Sequence, residues 1–245
     1  MQWKTSWFGH ALLAALACLA LTGRPAFGEL FNRGTSTEGY HLIYDDSLDV
    51  TWVDYTFGCT GFGNTGYTRS YYFYCKDWAD TLNITINGQT FDDWRLPTVA
   101  PVWNYNYSFD GSTDFSYNIL RTGSELAHLY HVTLGNLSQY DTAGNMRSAG
   151  TYGLLNTGLF NNLDGTPGGA IYWTQTGWPP NSGNQMFGTQ FSTGVQCPTS
   201  TQSGNQAWAL ALRDGDVVPE PATLSLSLLA LAGLTFAAVV RRRRK

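Results

Sequence analysis

Asp92-Asp93-Trp94-Arg95-Leu96-Pro97-Thr98 is the stretch on which the fold turns. Trp94 and Leu96 flank Arg95, and Leu96 precedes a proline, which pushes it toward extended geometry. The block therefore reads as ordered irregular structure, with Trp94 and Leu96 expected in the core. A guanidinium in such a setting calls for a carboxylate partner. Glu125, at the start of the next helical pattern, is the candidate, and the pairing would be architectural.

Toward the N-terminus, Asn87-Gly88 is a turn signal. Before it, Tyr71, Tyr74, Cys75, Trp78 and Leu82 recur at helical spacing, with Lys76, Asp77 and Asp80 on another side. One amphipathic helix over Tyr71–Leu82 is expected. Tyr40–Tyr44 reads as a strand, Asp45-Asp46-Ser47 as its turn, and Val50–Val53 as the returning partner of a hairpin. Tyr55–Ser70 is a Gly-, Thr- and aromatic-rich loop. Toward the C-terminus, Pro101–Ser116 is a second aromatic loop. Thr122-Gly123-Ser124-Glu125 opens a second helix, with Thr122 or Ser124 as its cap. Its apolar stripe is Leu126, Leu129, Tyr130 and Leu134, and Gly135-Asn136 ends it. Ile171–Thr174 is strand-like, Trp178–Ser203 reads as polar loop, and Ala207–Leu212 as a final strand closed by Asp214-Gly215. Two helices, short antiparallel strands and long loops make an α+β domain.

The two ends of the chain are of another kind. Lys4 supplies a positive n-region, Trp7–Thr22 is mostly apolar, and Ala26 and Gly28 are the small residues that a signal peptidase reads. Residues 1–28 thus read as a secretory signal peptide. Cys18 after Leu16-Ala17 would fit a lipoprotein, but Ala15 stands where Leu is usual. At the other end, Pro219-Glu220-Pro221 precedes an uncharged run from Ala222 to Val240 and then Arg241, Arg242, Arg243, Arg244 and Lys245. As a helix such a run spans roughly 28 Å, close to the bilayer's hydrocarbon thickness. The cations hold the far end in the cytoplasm. By composition alone this is a single-pass anchor. The order of its parts closely resembles the PEP-CTERM sorting signal of Gram-negative bacteria. That resemblance implies recognition by an exosortase of the inner membrane, tail removal, and release or re-attachment of the body.

The body left between these signals, residues 29–218, is the size of one domain. Of the 14 Lys and Arg, seven lie in it, against 17 of the 18 acids, so its net charge is −10 where the whole chain carries −4. Such a surface repels nucleic acid. Cys59, Cys75 and Cys197 fall in the body, where export permits a disulfide. Cys59–Cys75 would close a short loop, and Cys75–Cys197 stands as the alternative.

The order of blocks also resembles the family of unknown function typified by the C-terminal domain of the Legionella collagen-like adhesin. The matching features are the Leu42–Trp52 hairpin, a helix ending near Leu82, Asp93-Trp94-Arg95-Leu96-Pro97 and Gly123-Ser124-Glu125-Leu126. Tyr172-Trp173-Thr174, Ala207-Trp208 and Arg213-Asp214-Gly215 follow. The resemblance implies a C-type-lectin-like fold with first and last strands paired, and a role in adhesion or glycan binding. This chain departs from the family in having no collagen-like stalk and an acidic body, which suits a sulfated polyanion badly. In this fold Trp94, Arg95, Glu125, Trp173 and Trp208 would be structural.

Chemistry-bearing patterns are sparse. Asp45, Asp46, Asp49 and Asp54 lack the turn Gly and closing Glu of an EF-hand. Glu125, His128 and His131 lack the His-Glu-x-x-His arrangement of zinc proteases. There is no Gly-x-Ser-x-Gly, and the Glu-Pro-Asn, Gln-Pro-Asp and Trp-Asn-Asp triplets of calcium-dependent lectins are absent. No cofactor or metal is expected, and the chain does not read as an enzyme. Aromatic faces cover sugar C–H surface while loop amides hydrogen-bond, so Trp103, Tyr105 and Trp178 are the candidate ligand contacts, and extracellular polysaccharide the candidate partner. The alternatives are a structural matrix protein without a specific ligand and an enzyme of the formylglycine-generating type, which needs a reactive cysteine pair.

Overall fold

Val50-Thr51-Trp52-Val53 is buried at every position, so this strand has core on both of its faces. The computed structural model describes residues 28–57, 72–166, 171–179, 184–201 and 207–218. In it β2 (His41–Asp45) and β3 (Val50–Val53) form the expected hairpin, paired Leu42↔Val53 and Ile43↔Trp52. Alternation along the strands then sorts the side chains. Leu42 and Val53 enter one core with Cys75, Ala79, Trp94, Leu96 and Trp173. Ile43, Val50 and Trp52 enter another with Leu126, Leu129, Tyr130 and Leu134. The hairpin is a middle layer with a helix on either side.

The first helix, α1, runs Tyr72–Asp80 and buries Tyr72, Cys75 and Ala79. Tyr74, expected on the inner stripe, is exposed; the stripe passes through Tyr72 instead. The second, α2, is only Glu125–His128 and continues as a π-helical turn, Leu129–Thr133. Ser124 sits at its N-cap position but makes no side-chain capping bond. Gly135, at φ +67°, ends the turn, and the Asn136 N–H donates across it to the Tyr130 carbonyl. Between the helices, β4 (Ile84–Ile86) and β5 (Gln89–Phe91) form a hairpin. Its corner is Asn87 and Gly88, both left-handed (φ +52° and +78°), as a two-residue turn of this kind requires.

Two sheets extend the layers. The first has the order β1–β2–β3–β11, with β1 (Leu30–Thr35) and β11 (Leu212–Asp214) at its edges. The second has the order β6–β7–β10–β9–β8. Its strands are β6 (Tyr107–Ser108), β7 (Phe115–Ser116), β8 (Ile171–Gly177), β9 (Gln185–Gln190) and β10 (Val195–Ser200). Thus the stretch expected as loop from Trp178 to Ser203 contains two six-residue strands, and the aromatic loop Pro101–Ser116 contains two short ones. The final strand also shifts: it is Leu212–Asp214, and Ala207–Ala211 is a crossing segment. There Trp208 bonds to β8, Ala209 exchanges bonds with Phe57, and Ala211 accepts from Val53. Alternation persists along it, with Ala207, Ala209 and Ala211 in the first core and Leu210 and Leu212 in the second. This crossing joins the two sheets and brings both ends of the body into one sheet.

Candidate functional site

Asp114 is a fully buried carboxylate beside β7, and the loop before it is built around its oxygens. Oδ1 accepts the Val102 N–H at 3.0 Å and Arg121 Nη2 at 3.0 Å; Oδ2 accepts the Asn104 N–H at 3.2 Å. The Asp114 N–H returns a bond to the Asn104 carbonyl at 2.7 Å. These contacts bracket Trp103 on both sides. Its backbone is left-handed, φ +62°, a conformation that costs a residue with a Cβ about 1–2 kcal/mol. Its side chain is 70% exposed. Burial pulls the pKa of Arg121 below the usual guanidinium value, and Asp114 offsets part of that pull. A buried carboxylate, paired with a half-buried guanidinium, therefore holds a strained turn whose side chain is exposed.

The segment that follows, Trp103-Asn104-Tyr105-Asn106-Tyr107-Ser108-Phe109, alternates aromatic and polar residues. In an extended chain such alternation puts aromatics on one side; here Tyr105, Tyr107 and Phe109 join a ring cluster, and left-handed Trp103 precedes it. Tyr107 packs on Phe109 and Phe115 at 5.0 and 4.9 Å, and Phe109 on Tyr117 and Tyr140 at 5.9 and 5.2 Å. Tyr107 is 48% exposed, and Tyr105, Phe109, Phe115 and Tyr140 are half-buried. The result is an aromatic face whose inner rings support its outer ones. The alternation over residues 103–109 was its sequence signal.

Of the three candidate ligand contacts, Trp103 stands in solvent and Tyr105 stacks edge-on against Trp178 at 5.0 Å. Trp178 itself is 5% exposed, enclosed by Phe187, Phe115 and Tyr105. It is a support, and the expectation of a ligand contact there is corrected. The structural candidates lie inside: Trp94 donates its indole N–H to Phe91, and Trp173 packs against Tyr72. Trp208 is partly buried in the second core. Arg95 forms a two-pronged pair with Glu125, Nη1 to Oε2 at 2.9 Å and Nη2 to Oε1 at 2.8 Å. Asp214 takes a further bond from Nη2. Burial opposes the Arg95 charge, and the two carboxylates more than offset it, so its pKa lies above the usual value.

The two buried histidines and the carboxylates Asp45 and Asp54 are engaged in hydrogen bonds within the fold. His128 contacts the Leu120 carbonyl and Ser47 Oγ, while His131 contacts the carbonyls of Asn136 and Gly194. Burial lowers the His131 pKa. Asp45 accepts from Ser47 and Thr133, and Asp54 holds the backbone of Asn161 and Asn162. Among the described residues no three His, Cys, Asp or Glu side chains are grouped to hold a metal. Cys75 and Cys197 are not bonded to one another. Cys59 lies outside the described residues, as do Pro219, Glu220, Pro221 and Arg241–Arg244.

The chain's last described residues, Asp216-Val217-Val218, lead directly into Pro219. A family model described as the PEP-CTERM protein-sorting motif matches residues 217–245. The chain carries a PEP-CTERM sorting signal. It is thus exported and exosortase-sorted, and the signal is a membrane-anchored one. No match to the chain was found among curated proteins or solved structures. Among the described residues no helix is long and apolar enough to cross a membrane; the PEP-CTERM tail lies beyond them.

Proposed function

We propose that residues 29–218 form a non-catalytic, C-type-lectin-like module that binds neutral extracellular polysaccharide through the aromatic face of residues 103–109. One observation carries this most: Trp103 is exposed on a left-handed turn that the buried Asp114 carboxylate maintains, paired with half-buried Arg121. Strain of this kind persists only where the surroundings over-determine it, and such places cluster at binding sites. Export through the PEP-CTERM route fits a ligand outside the cell, at the cell surface or in its matrix once the tail is removed. The antiparallel pairing of β11 with the β2–β3 hairpin and the helix on each face support the lectin-like reading of the fold. An acidic body disfavours sulfated chains. An enzyme of the formylglycine-generating type needs an ionised thiol. Burial pushes the Cys197 thiol up to about 11, which leaves little thiolate at neutral pH.

A second reading, a matrix protein without a specific ligand, draws on the inner rings, which already fill one another's faces. A glycan array separates the two. The binding module should retain neutral glycans over sulfated ones and lose them on Trp103→Ala. Silence across the array would leave the matrix protein, and strong salt-sensitive heparin binding would overturn the choice of ligand.

A further inference from the structure

The place where the fold hands over to the sorting tail is tightly built. Arg33 on β1 grips Asp216 with two bonds, Nε to Oδ1 at 2.8 Å and Nη2 to Oδ2 at 2.5 Å. The guanidinium itself lies over the neighbouring rings of Phe31 and Tyr44, 5.2 Å from each centroid. Asp216 uses the same Oδ1 to accept the Val218 N–H at 3.0 Å, and its carbonyl accepts from Arg213. Just upstream, the Gly215 N–H donates to Asp49, and its carbonyl accepts from Thr51, both at 2.7 Å. Val217 is 1% exposed and belongs to the first core, with Val218 packed against it.

The fold therefore continues to the residue before Pro219. Only Pro219, Glu220 and Pro221 separate it from the apolar run that begins at Ala222, and three residues reach at most roughly 10 Å. A peptidase needs several residues around the scissile bond extended in its cleft. Residues 215–218 have their backbone or side chains committed to the body, and edge strand β1 holds them there from the far side of the sheet.

We propose that the Arg33–Asp216 clamp fixes where the tail is cut, by withholding every bond up to Val218 and leaving only those beyond it. Arg33 is then a positioning residue for processing, acting through Asp216 and the Val218 N–H. Cutting breaks one peptide bond: the acyl carbon gains the oxygen of water on release, or the nucleophile of an acceptor on re-attachment, and that group's proton goes to the departing amine. The mature body keeps its whole core, because Val217 never leaves it.

The test is the C-terminal residue of the processed full-length protein, isolated from its native host and read by intact-mass and peptide mass spectrometry. The wild type should show one end, at Pro219 or beyond. Arg33→Ala should add a ragged set of ends at or before Val218, amounting to at least a tenth of the product, and Arg33→Lys should restore the single end. Asp216→Asn, which keeps an acceptor for the Val218 N–H but loses the charge, should show the same raggedness in smaller amount. If Arg33→Ala fails to accumulate, the wild-type end and Asp216→Asn still decide. A wild-type end at or before Val218, an intact Lys245 on the mature protein, or unchanged ends in both variants would overturn the proposal.

Discussion

Trp103 spends conformational energy on an exposed side chain, which separates it from the other tryptophans in the described residues. Replacing it with Gly relieves the left-handed strain, about 1–2 kcal/mol. The gain is partly offset by the greater freedom of an unfolded glycine, about 0.5–1 kcal/mol. The unfolding free energy of Trp103→Gly, measured in urea, should therefore rise by about 0–1.5 kcal/mol. A loss of about 3–5 kcal/mol, typical of truncating a buried tryptophan, would show Trp103 to be core. Glu125 is the opposite case. Its two-pronged pair with Arg95 is largely buried, and it also accepts the Thr98 N–H. Glu125→Ala should cost about 3 kcal/mol, near the low end for a broken buried pair, because Asp214 still holds Arg95. A loss below about 1 kcal/mol would place the pair among surface ones.

At the scale of elements, the 101–114 turn depends on Asp114. Asp114→Ala leaves half-buried Arg121 without its carboxylate and frees two backbone N–H groups. It should cost about 3–5 kcal/mol and weaken glycan binding although Trp103 is intact. Binding at wild-type strength would detach the turn from the site. The π-helical turn carries its own prediction. His131 is buried there, and desolvation holds its pKa below 6.5. The unfolded chain thus binds this proton more readily than the fold does. Stability is full above pH 6.5 and falls as pH drops from there toward the folded value. His131→Gln should flatten that part of the profile in thermal melts across pH 4–8; an unchanged slope would exclude His131 as its source.

The same elements show how far the sequence could be read. The β2–β3 hairpin, the buried stripe Leu126, Leu129, Tyr130 and Leu134, and the Arg95–Glu125 pair were legible because each rests on local pattern or on a charge that needs a partner. Strands β9 and β10 were not. They bury Thr189, Gln196 and Thr199 among Met186, Phe187 and Val195, so buried polar and apolar residues mix and no apolar alternation marks them. Ala207–Leu212 does alternate, but its bonding partner changes from β8 to Phe57 to β3, which sequence patterning does not encode. Trp178 resembled Trp103 in sequence because each stands in a stretch that reads as loop. Only the packing of Phe187 and Phe115 separates an inward ring from an outward one.

At the scale of the molecule, a body of net charge −10 exported with a PEP-CTERM tail carries its one strained, solvent-facing tryptophan on a turn held by buried charge. A neutral ligand contacted by ring faces should bind with little dependence on salt, since few counterions are released. The most direct measurement is retention of the purified mature protein by the native host's extracellular polysaccharide, at 50 and 300 mM salt, for wild type and Trp103→Ala. The account predicts that wild type is retained equally at both salts and that Trp103→Ala loses at least tenfold in affinity. Equal retention of the two proteins, or binding that vanishes at 300 mM salt, would contradict it.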